Sequence, residues 1–430
     1  MIKRIICIVL LSLFVFPICV GATNDNEITH FTVSLGAKVT DGNVNTYVSA
    51  KSLTVTDVKG AKYLYLTFWD SPPIITVKVN GKEIKSENKF LQSFITLPET
   101  AANKIEIVFE NETKLSEIRI FKDGKIPNDV HIWSPPVEKA DLLLVATHSD
   151  DDQLFFAGLL PLYAGEKKYA VQVAYFIDHN ENVVRRHELL NGLWTVGVTA
   201  YPVISNFPDE YSESSAAALN NFKKYGISKE DAIDWQRDLI VRFKPLVVVG
   251  HDLSGEYGHG QHILNAETLI RGIEKAEDIH KIQKLYLHLY NENKITMDYD
   301  VPLVAFGGKT AFEISKQGFE CHKTQHPYWF YGWLNGKEKA AEITSYSPCE
   351  FGLYKTAVGA DIKGGDMFEN VMTYAELEVE QKPSVSEPEQ ILHDNEIKPK
   401  KDNTAYYILA AAVLTVIITV ILIVICNKKR

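Results

Sequence analysis

Thr147-His148-Ser149-Asp150-Asp151-Asp152 follows directly on the apolar run Leu142 to Ala146. One imidazole and a cluster of carboxylates therefore stand where a buried strand gives way to a helix, the place where open α/β sheets build their sites. A second strand-like run, Leu246 to Val249, ends in Gly250-His251-Asp252, and a glycine-rich loop leads on to His259-Gly260-Gln261-His262. His148 and Asp151 are three residues apart, as are His259 and His262, so each pair can aim at one centre across a turn into a helix. Two strand ends carrying candidate ligands predict a metal site. A hydrolytic zinc takes three protein ligands and keeps one position open, and His/His/Asp sets are common. His148, Asp151 and His262 supply such a set. Asp150 and His259 are then left beside the metal, where a hydrolase needs a base for water and an acid or electrophile for the leaving group. Each piece also has a plain structural explanation. Ser149 and the aspartates could cap a helix starting near Asp151, and the histidines could be buried or loop residues. Capping accounts for the parts and not for the combination.

The elements that must hold these residues read as α/β. Apolar strands at 141–146, 169–177 and 245–249 alternate with helical patterns near 152–164, 183–195, 230–243 and 262–277. That alternation predicts a Rossmann-like, largely parallel sheet with helices on both faces, over residues 139–377. Residues 27–125 differ. Ile74 to Val79 runs into Asn80-Gly81, a hairpin signal, while Lys104 to Phe109 and Leu115 to Phe121 alternate with period two. Short strands without helices predict an antiparallel β-sandwich ahead of the α/β domain, with Pro127 to Glu138 as linker.

Residues from about 140 to 375 resemble the PIG-L/LmbE-like zinc deacetylases, which act on N-acetylglucosamine (GlcNAc) conjugates. The family's opening strand and His-Pro-Asp-Asp-Glu correspond to His148-Ser149-Asp150-Asp151-Asp152. Its Gly-x-Tyr-Gly-His-Pro-Asp-His corresponds to Gly255-Glu256-Tyr257-Gly258-His259-Gly260-Gln261-His262. An Arg-x-x-Glu helix ending in Gly-Val corresponds to Arg185-Arg186-His187-Glu188 running to Val196-Gly197-Val198. The resemblance implies Zn2+ on His148, Asp151 and His262, with Asp150 as general base. It implies His259 as oxyanion stabiliser or acid to the leaving amine, Tyr257 as a second oxyanion donor, and Arg185 as a substrate contact. For Arg185, an ion pair with Glu188 is an equal alternative. Gly260-Gln261 replaces the usual Pro-Asp, which would orient the neighbouring histidine less well if the aspartate does so elsewhere. His251-Asp252 could support the metal residues from behind. The aromatic run Tyr328 to Trp333, near His322 and His326, could wall a substrate pocket, but packing as core is the stronger expectation. Residues 27–125 resemble a discoidin-like (galactose-binding-like) module, on Thr40-Asp41-Gly42-Asn43-Val44-Asn45-Thr46-Tyr47 and the strand Leu115 to Ile120.

The ends of the 430-residue chain are hydrophobic. Lys3 and Arg4, an apolar run and the small residues at Val20-Gly21-Ala22 predict a signal peptide at 1–22. Residues 406–426 are apolar and uncharged, preceded by a polar stalk at 380–404 and followed by a basic tail at 427–430. They predict a single transmembrane helix and a cell-surface ectodomain. Cys321 and Cys349 are the cysteines left in such an ectodomain and could pair. The net charge of −10, with no long basic stripe, excludes a nucleic-acid binder. The expected function is a zinc-dependent N-deacetylase acting on an amino-sugar conjugate or glycan. The alternative is a cell-surface glycan-binding protein with a weak or inactive deacetylase domain.

Overall fold

The computed structural model describes residues 26–70, 74–87, 90–179 and 182–380. The described residues 26–379 belong to one compact unit. The expected signal peptide, the helix at 406–426, the tail, and the stalk beyond Glu380 lie outside the described residues. The membrane anchor is not sustained, since no helix among the described residues is long and apolar enough to cross a membrane. The longest of them, Gly260–Ala276, has 17 residues and carries Glu267, Arg271, Glu274 and Lys275, whereas a span needs about 20 apolar residues. The transmembrane helix, the membrane as partner and the single-pass cell-surface placement are set aside together.

The N-terminal part holds β1 (Thr32–Val33), β2 (Val48–Thr56), β3 (Ala61–Phe68), β4 (Ile75–Val79), β5 (Lys82–Ser86), β6 (Gln92–Thr96) and β7 (Lys104–Lys122). Every pairing among them is antiparallel. Asn80 and Gly81 both have positive φ (51° and 85°), as the hairpin turn between β4 and β5 requires. The two strands expected at 104–109 and 115–121 are one continuous strand. Its polar middle is an irregularity in the ladder: the pairing jumps from Thr113 to Val108 on β7 as β2 passes from Ala50 to Ser52.

The remaining elements are β8 (Leu142–Ala146), α1 (Asp151–Leu154), β9 (Val171–Tyr175), α2 (Val183–Thr195), β10 (Val203–Ile204), α3 (Ser215–Lys224), α4 (Lys229–Phe243), β11 (Val247–Gly250), α5 (Gly260–Ala276), β12 (Lys284–His288), β13 (Lys294–Thr296), α6 (Ala311–Phe319), α7 (Trp329–Asn335), β14 (Glu350–Thr356) and α8 (Tyr374–Glu380). The sheet order is β10-β9-β8-β11-β12-β14-β13. The first five strands are parallel, and β14 runs antiparallel to both its neighbours. A strand covered on both faces must be apolar on both faces. In β8, Leu142 and Leu144 pack with Leu189 and Leu193 of α2, while Leu143 and Val145 pack with Leu239 and Phe243 of α4 and Leu269 of α5. From β8 the chain builds outward to β9 and β10, then returns to add β11 on the other side. The crevice at the carboxyl ends of β8 and β11 is therefore the topological switch point.

The helix expected near 152–164 is a single α-helical turn. Gly158 has φ 101°, and a Cβ there would stand 2.2 Å from the Tyr299 ring. The close approach of that ring falls at the break, and winding resumes at Leu159 and runs on through Glu166. The expected linker is also packed: Val130 and Trp133 are buried. Gln92 at the start of β6 accepts from His131 Nδ1 (2.7 Å) and Trp133 Nε1 (3.1 Å) and donates to Asn191 Oδ1 on α2 (3.0 Å). His187, on the same helix, bonds the Phe68 carbonyl (2.9 Å). The N-terminal sheet is thus bound to the helix that carries Arg185.

Candidate active site

Beyond β8 the backbone turns sharply around one side chain. Asp151 Oδ2 accepts the N–H groups of Thr147 (3.2 Å) and His148 (2.6 Å). The acidic run therefore does not serve as a cap, and Asp150, at the N-cap of α1, makes no side-chain capping bond. His262, in the first turn of α5, reaches in from the other strand end. His148 Nδ1 lies 3.1 Å from His262 Nε2, and each of these nitrogens lies 3.4 Å from Asp151 Oδ2. The ring protons are committed elsewhere. His148 Nε2 bonds Gln261 Oε1 (3.0 Å), whose amide nitrogen donates to the Pro208 carbonyl (2.8 Å). His262 Nδ1 bonds Glu256 Oε2 (2.7 Å). The ring nitrogens of His148 and His262 that face inward thus meet each other and the Asp151 carboxylate, a buried arrangement that calls for a cation. Three ligands about 2.0–2.1 Å from one tetrahedral ion stand about 3.3 Å apart. Two overlapping groups among the described residues, His148/His259/His262 and Asp151/His251/His262, are spaced to hold a metal ion, and the donor chemistry of His148, Asp151 and His262 fits zinc.

Behind this triangle sits Glu256, completely buried. Its carboxylate accepts from Nδ1 of His251 (2.7 Å), His262 (2.7 Å) and His288 (2.6 Å), and from the Asp252 N–H (3.3 Å). Burial pushes the Glu256 carboxyl up, but His251 and the other two histidines more than offset this and hold it well below the usual range. Burial disfavours charge on His251, but Glu256 and Asp151 outweigh it and lift its pKa to about 10. The Thr147 N–H stands 3.0 Å from His251 Nε2. His251 Nε2 also stands 3.4 Å from Asp151 Oδ2, so this histidine backs the Asp151 carboxylate.

Asp150 is buried against the triangle, with Oδ1 3.2 Å from an Arg185 nitrogen. Burial lifts its pKa to about 6, with the Arg185 charge pulling down and Asp151 pushing up. Arg185 also meets Asp209 (3.4 Å), which pairs with His179 Nδ1 (3.0 Å). His259 is the N-cap of α5. Its Nδ1 accepts the Gln261 N–H (3.2 Å), which leaves its proton on Nε2. Burial drives its pKa down, reinforced by His148 and His262, so the ring is neutral. Tyr257 holds an unusual φ of 47° with its ring 5.5 Å from that of His259, and burial keeps its phenol protonated. His148, Asp150, Asp151, Arg185, Tyr257 and His259 line one cavity of about 450 Å³. His262 closes the triangle from beneath, fully buried.

The structure therefore gathers all seven expected residues, with three changes of partner. Arg185 pairs with Asp150 and Asp209 rather than Glu188, which instead accepts from Thr324 N (2.9 Å) and Thr324 Oγ1 (2.5 Å). Gln261 does not steer its neighbour His259 through its side chain; that amide orients His148. Cys321 and Cys349 are unpaired thiols. His322 is buried on Gln153 Oε1 (2.7 Å), and His326 packs on Tyr331, away from the triangle. Sequence reasoning missed Glu256, His288, Asp209 and His179. His179 and His288 lie at or just past the carboxyl ends of β9 and β12, so the strand-end rule applied to every strand would have found them.

No protein-family model and no curated protein matches the chain. Several solved structures are similar to it, three of them as follows. The conserved protein TT1542 from Thermus thermophilus is 14% identical with a TM-score of 0.36, over 51% of this chain and 97% of that one. The N,N′-diacetylchitobiose deacetylase from Pyrococcus horikoshii is 15% identical with a TM-score of 0.34, over 51% and 85%. GalB, the 4-carboxy-2-hydroxymuconate hydratase from Pseudomonas putida, is 17% identical with a TM-score of 0.33, over 53% and 100%.

Proposed function

We propose that this protein is a zinc-dependent amidohydrolase that removes an N-acetyl group from a GlcNAc-containing conjugate. The observation that carries this reading is the triangle formed by the inward ring nitrogens of His148 and His262 with the Asp151 carboxylate, and a buried carboxylate, Asp150, beside it. Zinc held there would supply Lewis acidity and lower the pKa of water to about 7. Asp150 takes the proton of the attacking water, and a pKa lifted toward neutrality suits a base that must later give the proton up. Arg185 holds Asp150 Oδ1 and so fixes the carboxylate's orientation; it also lines the cavity where substrate enters. His259, protonated at Nε2, donates to the amide oxygen as negative charge builds, a contribution typically worth about 3–4 kcal/mol per donor. Tyr257 is placed to act as a second donor. The proton on Asp150 then passes to the amide nitrogen, the C–N bond breaks, and acetate and a free amine leave. Residues 27–125 are read as a discoidin-like module whose role here is to brace α2 through Gln92.

The test is acetate release from a panel of GlcNAc conjugates by the purified chain, with and without a chelator. Release that stops on chelation and returns with zinc supports the reading. Chelator-resistant release, or none across the panel, contradicts it.

A further inference from the structure

The outer half of the cavity is not needed for removing an acetyl group. Its rim carries Tyr211, Tyr328 and Trp329, which are 65%, 58% and 46% exposed, with Phe330 beside them. The aromatic run expected to be core is thus divided. Trp333 packs against Phe155 (ring centroids 5.8 Å apart) and lends its indole N–H to the Ser345 carbonyl. Trp329 instead presents its ring at the opening. It is braced edge-on against Trp333 (5.9 Å) and Tyr257 (5.6 Å) and tilted on Tyr346 (6.4 Å). An indole held rigidly from behind while remaining exposed loses little conformational freedom on binding, the property of an anchor residue. The same cavity is also lined by the polar groups of Arg185, Asp209 and Gln325.

From this juxtaposition we propose that Trp329, with Tyr328, forms a subsite for a second sugar ring, so that the preferred substrate is an oligosaccharide carrying GlcNAc. The inference rests on the deacetylase reading and names its substrate class. A pyranose has an apolar C–H face and a rim of hydroxyls. It needs an aromatic plane and, to the side, charged or amide hydrogen-bonding groups. A hydrocarbon tail would leave Arg185, Asp209 and Gln325 desolvated against it, at a cost. The cavity of about 450 Å³ lies in the range that encloses a whole small ligand rather than an acetamido group alone.

Trp329→Ala and Trp329→Phe, made in the full chain, test it. Three probes are compared by kcat/KM for acetate release: GlcNAc, a β-linked GlcNAc trisaccharide, and octyl GlcNAc glycoside. Binding of the same probes is measured by calorimetry in an Asp150→Asn background that suppresses turnover. The trisaccharide-to-monosaccharide ratio is expected to fall about tenfold in Trp329→Ala, through KM, and to be largely restored in Trp329→Phe. An equal loss on both sugars, no loss, or a wild-type preference for the octyl glycoside over the trisaccharide overturns the subsite. If the wild type releases acetate from nothing yet binds the trisaccharide through Trp329, the subsite stands and the deacetylase reading falls.

Discussion

Glu256→Gln separates a positioning carboxylate from a bystander. In the wild type, Oε2 accepts from Nδ1 of His251 and His262, and Oε1 from Nδ1 of His288 and the Asp252 N–H. Glutamine has the same volume but one acceptor oxygen and one NH2 group. Whichever way it turns, one pair of donors faces another donor. If the NH2 group faces His262, the ring proton must move to Nε2, the nitrogen that points at Asp151 and His148. If it faces His288, the tautomer survives but the buried negative charge that polarises His262 is gone. Loss of such an outer partner typically costs about 10–100-fold in metal affinity, which is about 1.4–2.8 kcal/mol. The assay is a zinc titration against a competing chromophoric chelator, with the fold checked by circular dichroism and thermal melting. A folded variant whose zinc Kd stays within about twofold of the wild type refutes the reasoning, because it would show that His262 keeps its tautomer without the carboxylate.

Asp150→Asn should keep its zinc and lose turnover by about 10²–10⁴-fold; a rate like the wild type's would remove Asp150 from the role of base. His262→Ala should bind no stoichiometric zinc by elemental analysis, and full occupancy would break the ligand set. In the N-terminal sheet, burial pushes Glu117 up to about 7, with the Asp41 carboxyl adding to the rise. The folded state therefore holds that proton more tightly than the unfolded one. Its stabilisation is complete below the ordinary value of 4.5 and is lost as pH rises through about 7. Thermal melts should show stability falling across that window and a flatter dependence in Glu117→Gln; an unchanged slope in the variant would assign the effect elsewhere.

Local pattern made some parts of the molecule legible and long-range contact hid others. Helix α2 appears at the residues its periodicity marks, and the rule that sites form at strand ends located both Thr147–Asp152 and Gly250–His262 before any fold was known. The triangle was legible because its members share two short motifs. Glu256 was not, because an acid between Gly255 and Tyr257 in a loop has the sequence signature of a solvated residue. Its burial depends on His288 arriving from β12. The helix near 152–164 failed for a similar reason, since only the fold brings Tyr299 against Gly158. Strand β7 reads as two because the polar residues 110–114 look like a turn, yet the ladder takes them up as an irregularity. The partner of Gln261 was likewise invisible: a side chain one residue after Gly260 turned out to serve His148 more than a hundred positions away. Hydrophobicity at 406–426 supported an anchor that no described helix provides.

The central claim is that His148, Asp151 and His262 hold a zinc ion on which amide hydrolysis depends. Metal-free protein, reloaded with zinc in steps, measures it most directly when bound zinc and acetate release from a GlcNAc oligosaccharide are followed in the same samples. The account predicts that release rises in proportion to occupancy and saturates at one zinc per chain. Release at full rate from the metal-free protein, or saturated zinc without release, would contradict it.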